Sequence, residues 1–267
     1  MQKLKLVLGL FILFFSTGCL DTTEETTINE NGSGVYVNTA DMGQIFGMLK
    51  TMGGGGDDLK GIDKIKMDTI IYFKDLKDSM TTLSEAEKKL IEPGSMKMVM
   101  NYDDEKFNFT FSIPFTKIED VGAINKALAK SRMNFLEKQM EKVLGGDKTA
   151  GTKEGMSILG SGDGKDEPES DISDYFDYDY KDGKLSKKLN KVKFANLEND
   201  KSLKSMQEMS GLGIPVNFKN IIILPRPVKN AVGKGLKLSD DKKKVTFEAT
   251  LDDFFENASV FEYEIEY

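Results

Sequence analysis

Apolar residues alternate with polar ones along two neighbouring stretches of the chain around residue 100. They are Met96, Met98 and Met100 in the first stretch, and Phe107, Phe109, Phe111 and Ile113 in the second. A period of two places all of these side chains on one face of a strand pair. Asp103-Asp104 between the stretches supplies a turn. The pattern therefore predicts an antiparallel pair with one apolar and one polar face.

Apolar residues spaced three and four apart predict helices elsewhere. One helix begins at the capping pattern Asp41-x-x-Gln44 and a short one begins at Ser84-x-x-Glu87. A long amphipathic helix is predicted from Ile118 to Leu144, where Gly145-Gly146 ends it. It should cover the apolar face of the strand pair. A further helix is predicted near Asp200–Met209.

Six other stretches alternate in the same way or are apolar throughout, and these predict further strands. They are a hairpin at residues 24–39 with its turn at Asn31–Gly34, Ile62–Lys74, Phe176–Tyr180, Val216–Leu224, Val245–Leu251 and Phe261–Tyr267. Together the elements predict an α+β fold. It consists of a mostly antiparallel sheet of short strands, packed by three or four amphipathic helices.

Composition narrows the chemistry that such a fold can carry. The chain has 267 residues, no His, one Cys and a formal net charge of −7. This excludes imidazole bases, Cys–His nucleophiles, Cys/His zinc sites and an internal disulfide. Since Arg132 and Arg226 are the only arginines of an acidic chain, nucleic acid is not an expected partner.

The first 19 residues have the organisation of an export signal. Lys3 and Lys5 precede the apolar run Leu6–Phe15, which is followed by Ser16-Thr17-Gly18 and then Cys19. The run is shorter than the roughly 20 apolar residues that span a bilayer, and the pattern is typical of a cleaved signal peptide. The segment resembles the lipobox of bacterial lipoproteins, in which signal peptidase II cleaves before a cysteine that carries diacylglycerol.

The resemblance implies cleavage between Gly18 and Cys19, and acyl chains such as palmitate on Cys19 that anchor the protein to a membrane. Two or three acyl chains make such an anchor effectively permanent. Leu20 stands where an aspartate would favour inner-membrane retention, so the resemblance favours the outer membrane of a Gram-negative envelope. The acidic residues that follow resemble surface-export signals or form a solvated tether; they are Asp21, Glu24 and Glu25. The alternative is an ordinary cleaved signal with an incidental or a buried structural cysteine.

Residues 145–170 contain seven Gly and six acidic residues but only four apolar side chains. Such a segment buries too little apolar surface to offset the entropy of ordering, so we predict a disordered linker. The chain then divides into a signal peptide (1–18), an N-terminal part of the ectodomain (19–144), this linker and a C-terminal part (171–267).

Three constellations could carry chemistry, and each has a simpler structural explanation. The alternating methionines could bind Cu(I), but they also suit a packed core. Asp177, Asp179 and Asp182-Gly183 partly match a calcium loop, but they lack its spacing and its closing Glu. Ser239-x-x-Lys242 has the spacing of a serine–lysine acylase, but it falls in a solvated hairpin turn. We therefore predict no catalytic, cofactor-binding or metal-binding residue.

The segment Ile221–Val228, with its Pro225-Arg226-Pro227 turn, and the following Lys237–Lys242 and Val245–Phe247 resemble the end of uncharacterised envelope lipoproteins of the LppM-like type. This resemblance implies an α+β ectodomain in which a hairpin returns to the sheet, and it supplies no active site. We expect a non-catalytic binding or structural module for an envelope protein or for an amphiphile held between sheet and helix. The alternative is an envelope hydrolase that uses paired carboxylates.

Overall fold

The computed structural model describes residues 20–51, 66–131, 171–211 and 215–267. Its strands are β1 Leu20–Ile28, β2 Gly34–Asp41, β3 Lys66–Tyr72, β4 Ser95–Asn101, β5 Lys106–Phe115, β6 Phe176–Lys181, β7 Lys184–Leu189, β8 Val216–Ile223, β9 Asn230–Gly233, β10 Lys237–Leu238, β11 Lys244–Thr250 and β12 Tyr263–Glu266. Its helices are α1 Gly43–Thr51, α2 Glu85–Ile91, α3 at residues 121–131, α4 Lys191–Phe194, α5 Lys201–Gly211 and α6 Leu251–Asn257. The predicted α+β class with mostly antiparallel strands is confirmed.

Among the described residues, eight strands form one large sheet in the order β10-β11-β8-β1-β2-β5-β4-β3. Neighbouring strands run antiparallel, except that β1 and β8 pair in parallel from Leu20 beside Val216 to Thr27 beside Ile223. Strands β1 to β5 precede the segment 145–170 and β8, β10 and β11 follow it. The N-terminal and C-terminal parts of the ectodomain therefore share this sheet.

A second sheet has four antiparallel strands within the described ranges, in the order β6-β7-β12-β9. It packs against the large sheet through Phe261, whose ring centre lies 5.8 Å from that of Phe218 in β8 and 6.2 Å from that of Phe247 in β11. Phe261 ends a 3-10 turn after α6, and β12 begins only at Tyr263. The predicted strand Phe261–Tyr267 therefore starts two residues too early, because this turn uses its first residues.

The predicted pair of methionine and phenylalanine strands is confirmed as β4 and β5. Met98 stands beside Phe109 in the register, with Met96 beside Phe111 and Met100 beside Phe107. All of these side chains are at most 2% exposed. They lie next to one another on one face of the large sheet, which we call its inner face because the core lies on that side.

Helices α1, α2, α3 and α5 lie in the four stretches where the sequence predicts helices. In α2 the capping box is present, because the Ser84 side chain accepts from the Glu87 N–H and the Glu87 side chain accepts from the Ser84 N–H. Helix α3 buries four apolar side chains in the same core as Phe109: Val121, Ile124, Ala127 and Leu128. The rest of the predicted helix to Leu144, the linker 145–170, the signal peptide 1–18 and Cys19 lie outside the described residues. No helix within the described ranges is long and apolar enough to cross a membrane.

The predicted N-terminal hairpin is present but longer than predicted. Strands β1 and β2 pair from Asp21 beside Asp41 to Ile28 beside Gly34. The acidic residues at the start of the chain thus belong to a paired strand, and the expectation of a solvated tether is wrong for Asp21, Glu24 and Glu25. The reason is the pairing with β8, which joins residues 196 positions apart and leaves no mark in the local sequence.

Candidate functional site

Three polar side chains cross the inner face of the large sheet, which is otherwise mostly apolar. Asn220 of β8, Glu24 of β1 and Asn38 of β2 are neighbours in the strand register, and we call them the polar row. Asn38 and Asn220 are 5% and 8% exposed. Since burying polar groups costs free energy unless they are hydrogen-bonded, their partners decide what the row can do.

Two amide groups hold the carboxylate of Glu24. Nδ2 of Asn125 in α3 donates to Oε1 at 3.0 Å, and Nδ2 of Asn220 donates to Oε2 at 3.0 Å. Nδ2 of Asn125 also donates to the Tyr36 hydroxyl oxygen at 2.8 Å. The carboxylate is therefore fixed between the large sheet and α3, and both of its oxygens are occupied.

A buried lysine of the four-stranded sheet belongs to the same cluster. Lys187 lies on β7 and is 4% exposed. Its Nζ is 4.6 Å from the ring centre of Phe176, 5.5 Å from that of Tyr178 and 5.7 Å from that of Phe261, which is a cation–π arrangement. Burial lowers the pKa of Lys187, and the negative charges of Glu24 and Asp171 oppose this effect. Within the described part of the chain, aromatic rings rather than a paired carboxylate surround this ammonium.

Three tyrosines lie around Lys187 and Glu24. Tyr178 and Tyr263 stand on either side of Lys187 in the register, and the hydroxyls of Tyr180 and Tyr263 share a hydrogen bond. Burial raises the pKa of all three tyrosines, and the charge of Glu24 acts in the same direction. Buried polar atoms that lack a hydrogen-bond partner among the described residues include Tyr178 Oη, Asn38 Oδ1 and Asn220 Oδ1.

Helix α3 closes the cluster against the four-stranded sheet. A Cβ atom at Gly122 would lie 2.7 Å from Cβ of Tyr178, so only glycine allows the helix to approach this closely. The two sheets and α3 therefore meet at one place. We call it the polar junction: the polar row, Tyr36, Asn125, Lys187 and the three tyrosines.

The polar junction fixes how the two sheets pack against each other, which is a structural role. An amine with a lowered pKa can act as a nucleophile, but the amine of Lys187 is enclosed by rings, and a substrate would reach it only if the sheets separated. Buried charges and hydrogen bonds of this kind favour one arrangement of packed elements over others. The geometry therefore supports a structural role for Glu24 and Lys187.

The buried tyrosines predict a loss of stability in alkali. Burial is the largest cause of the raised pKa of Tyr175, Tyr178, Tyr180, Tyr263 and Tyr267. In the unfolded chain tyrosine ionises near pH 10. The stabilising contribution of these tyrosines is therefore complete below about pH 10, and it is lost as the pH rises towards their folded pKa values. Lys187 acts in the opposite direction. Its pKa is lowered in the folded protein, so burying the charged amine destabilises the fold, and this loss of stability becomes smaller as the pH rises towards 10.5.

With five tyrosines against one lysine, the melting temperature should fall between about pH 9 and pH 11, and most tyrosinate absorbance should appear together with unfolding. Thermal unfolding followed by circular dichroism and ultraviolet absorbance at each pH measures both. Complete tyrosine ionisation in a chain that is still folded would contradict the prediction.

On the opposite, outer face of the large sheet, most of the described side chains are half-buried or exposed. Among the described residues, β3 is one of the two edge strands of this sheet, the other being β10, and in β3 Ile70 is 54% and Tyr72 51% exposed. Near the start of β1 a groove of about 440 Å³ opens, lined by Asp21, Asn217, Lys219, Glu248, Asp253 and their neighbours. Lys219 and Glu248 form an ion pair of 2.9 Å within it.

The residues considered from the sequence for metal binding, catalysis and lipidation are not members of the polar junction. Met96, Met98 and Met100 are each fully buried in the core beside the phenylalanine strand, as predicted for core residues. Gly18 and Cys19 lie outside the described residues.

The two remaining constellations are solvent-exposed turns or strand ends. Asp179 pairs with Lys181 at 2.9 Å, Asp182 pairs with Arg226, and Asp177 accepts from Nδ2 of Asn190 at 3.1 Å. In the turn between β10 and β11, the Ser239 hydroxyl donates to Asp241 at 2.6 Å and accepts from the Lys244 N–H at 3.0 Å. No group of three or more His, Cys, Asp or Glu residues that could hold a metal ion occurs in the described part of the chain.

Sequence reasoning missed Glu24 and Lys187. A signal for Lys187 exists, because Leu185, Lys187 and Leu189 fall on one face of a strand, and a lysine between two leucines on the apolar side is unusual. No such signal exists for Glu24, since its neighbours on both faces of β1 are mostly Thr and Glu.

Comparisons with protein-family models, with curated proteins and with solved structures found no match.

Proposed function

We propose that this protein is a lipid-anchored lipoprotein of the cell envelope whose folded part is a non-catalytic binding or structural module for a protein partner. The anchor is Cys19, acylated after cleavage behind Gly18. This assignment of Cys19 is supported by the order in which basic residues, a short apolar run, small residues and the single cysteine of the chain follow one another. Leu20 after the cysteine supports the outer membrane as the location.

The observation that carries the choice of a protein partner is the difference between the two faces of the large sheet. On the inner face Met98, Phe109 and Ile113 are at most 1% exposed, and the buried side chains of α3 belong to the same core. In the described part of the chain, the space between sheet and helix is thus filled by the protein's own side chains rather than open to an amphiphile. The described side chains of the outer face are mostly half-buried or exposed and mix polar residues with Ile70 and Tyr72, which is a composition typical of protein interfaces.

Binding rather than catalysis is supported by the position of the two charges of the polar junction. The Glu24 carboxylate is bonded to Asn125 and Asn220 beneath α3, and Lys187 is enclosed by aromatic rings. A carboxylate that hydrolyses a substrate must contact it, and this one contacts the two amides that fix it.

Strand β3 is the part of the outer surface best suited to a partner. Among the described residues it pairs with β4 on one side only. A strand of a partner could therefore extend the sheet by backbone hydrogen bonds, with Ile70 and Tyr72 providing side-chain contacts.

Photo-cross-linking in cells tests the proposal. A photoreactive phenylalanine analogue in place of Tyr72 should capture a defined envelope protein, and Ile70→Asp should abolish the capture. The same analogue in place of Val192, which is 79% exposed on α4, is the control and should capture nothing specific.

A fatty-acid analogue should label the wild-type chain and leave Cys19→Ala unlabelled and extractable by carbonate. Equal capture at positions 72 and 192 would refute the partner surface, and acyl labelling of Cys19→Ala would refute the anchor.

A further inference from the structure

Strand β1 begins at Leu20, directly after the residue that we propose as the anchor. The Leu20 N–H donates to the Pro215 carbonyl oxygen at 2.9 Å, and Leu20 and Asp21 stand beside Val216 and Asn217 of β8. Consecutive Cα atoms are about 3.8 Å apart. A lipid on Cys19 would therefore be one residue away from a strand that is already paired within a sheet.

This attachment point lies in the middle of the large sheet. Three strands lie on one side of β1 and four on the other, in the part of the sheet that is described. At about 4.8 Å between strands, they extend roughly 14 Å and 19 Å from β1. Tilting the sheet within its own plane would press one of these sides into the bilayer. A lipid at this point therefore favours orientations in which this end of the strands, which we call the anchored edge, faces the membrane, together with the turn between β4 and β5 that projects beyond it.

The surface at this edge is polar and acidic. Asp21, Asp41 and Asp252 are exposed there, at the start of β1, the end of β2 and the start of α6. The groove lined by Asp21, Asn217 and Lys219 opens beside them. Charged and amide side chains are compatible with the headgroup layer and not with the hydrocarbon core.

We infer that this protein makes a second, non-covalent contact with the membrane: the edge of the large sheet at Leu20, Asn217 and Asp252 lies against the lipid headgroups. The inference rests on the proposed acylation of Cys19. The turn between β1 and β2, at residues 29–33, then points away from the bilayer. It lies beyond the end of β1, whose eight steps of about 3.3 Å span roughly 26 Å.

Short-range fluorescence quenching tests this arrangement. Acylation occupies the only cysteine of the chain, so a single introduced cysteine can be labelled with a fluorophore. The lipidated full-length protein is placed in phosphatidylethanolamine–phosphatidylcholine vesicles in which some lipids carry a nitroxide on the headgroup. Labels are compared at Asp252→Cys on the edge, Glu25→Cys on the outer face and Glu30→Cys in the far turn.

Quenching at position 252 should exceed that at position 30 by severalfold, with position 25 close to the low value. Insertion of fifteen Gly and Ser residues between Cys19 and Leu20 should lower quenching at 252 to the level at 30, while the protein still floats with the vesicles. Equal quenching at 252 and 30 in floated protein would overturn the edge contact and leave the anchor intact. Strong quenching at 25, equal to that at 252, would instead mean that the outer face lies on the membrane, and it would also overturn the inference. If the protein with intact Cys19 does not float, the proposed anchor fails, and the inference fails with it.

Discussion

Replacing Phe109 by alanine should lower the free energy of unfolding by about 3–5 kcal/mol, the usual cost of removing a buried phenylalanine ring. Phe109 is 1% exposed, and its ring centre lies 4.9 Å from that of Phe107. It stands between Met98 of β4 and Ala40 of β2 in the register. The large side chains around the cavity are held by a sheet on one side and a helix on the other, so they cannot collapse fully into it.

The matched control is Thr110→Ala, one residue further along the same strand. Thr110 lies on the outer face, where its hydroxyl is 3.4 Å from that of Thr39. Its loss should cost within about 1 kcal/mol. Chemical denaturation of the two variants measures the difference. Equal small losses would show that the inner face is not the core of the protein.

Replacing Glu24 by alanine should lower the free energy of unfolding by about 2–4 kcal/mol, because a buried donor left without its acceptor costs about 1–3 kcal/mol. One N–H of Asn125 and one of Asn220 lose their acceptor in this variant, while Asn125 keeps its hydrogen bond to Tyr36. The buried ammonium of Lys187 also loses the charge that opposes its desolvation. The neighbouring Glu25→Ala is the control, since Glu25 lies on the outer face, and it should stay within about 0.5 kcal/mol.

A double variant separates the two causes of that loss. If the charge of Lys187 contributes, Glu24→Ala combined with Lys187→Met should be less destabilised than the sum of the two single variants. Urea unfolding of the four proteins gives this coupling directly. Full additivity would assign the effect to the amide groups alone, and a loss in Glu25→Ala as large as that in Glu24→Ala would contradict the assignment of the two faces.

The parts of the fold that the sequence predicted are those encoded by neighbouring residues. The period of two in Met96–Met100 and Phe107–Ile113 determines both the face and the pairing, since the turn at Asp103-Asp104 leaves little choice of register. The capping box at Ser84 and Glu87 likewise acts within one turn of helix. These features could be predicted because every interaction involved is local.

The features that the sequence did not predict depend on distant residues. Strand β1 has polar side chains on both faces, and its place in the centre of the sheet depends on β8. Glu24 can lie half-buried on the inner face because Asn125 and Asn220, from two other elements, supply its hydrogen bonds. A polar cluster of this kind has no local periodicity, so the candidate site became visible only in the folded chain.

The parallel pairing of β1 with β8 also determines the order in which the chain can fold. During synthesis the N-terminus emerges first, but β1 has both of its neighbours only after Ile223 has followed. Pairing between such distant segments has a high contact order and is slow. Until then β1 is an edge strand that pairs with β2 on one side only, and its Glu24 lacks the amide of Asn220. The large sheet therefore cannot form strand by strand in chain order: β1 at its centre is completed only when β8 has been made, and until then the open edge of β1 is a place where misassembly can begin.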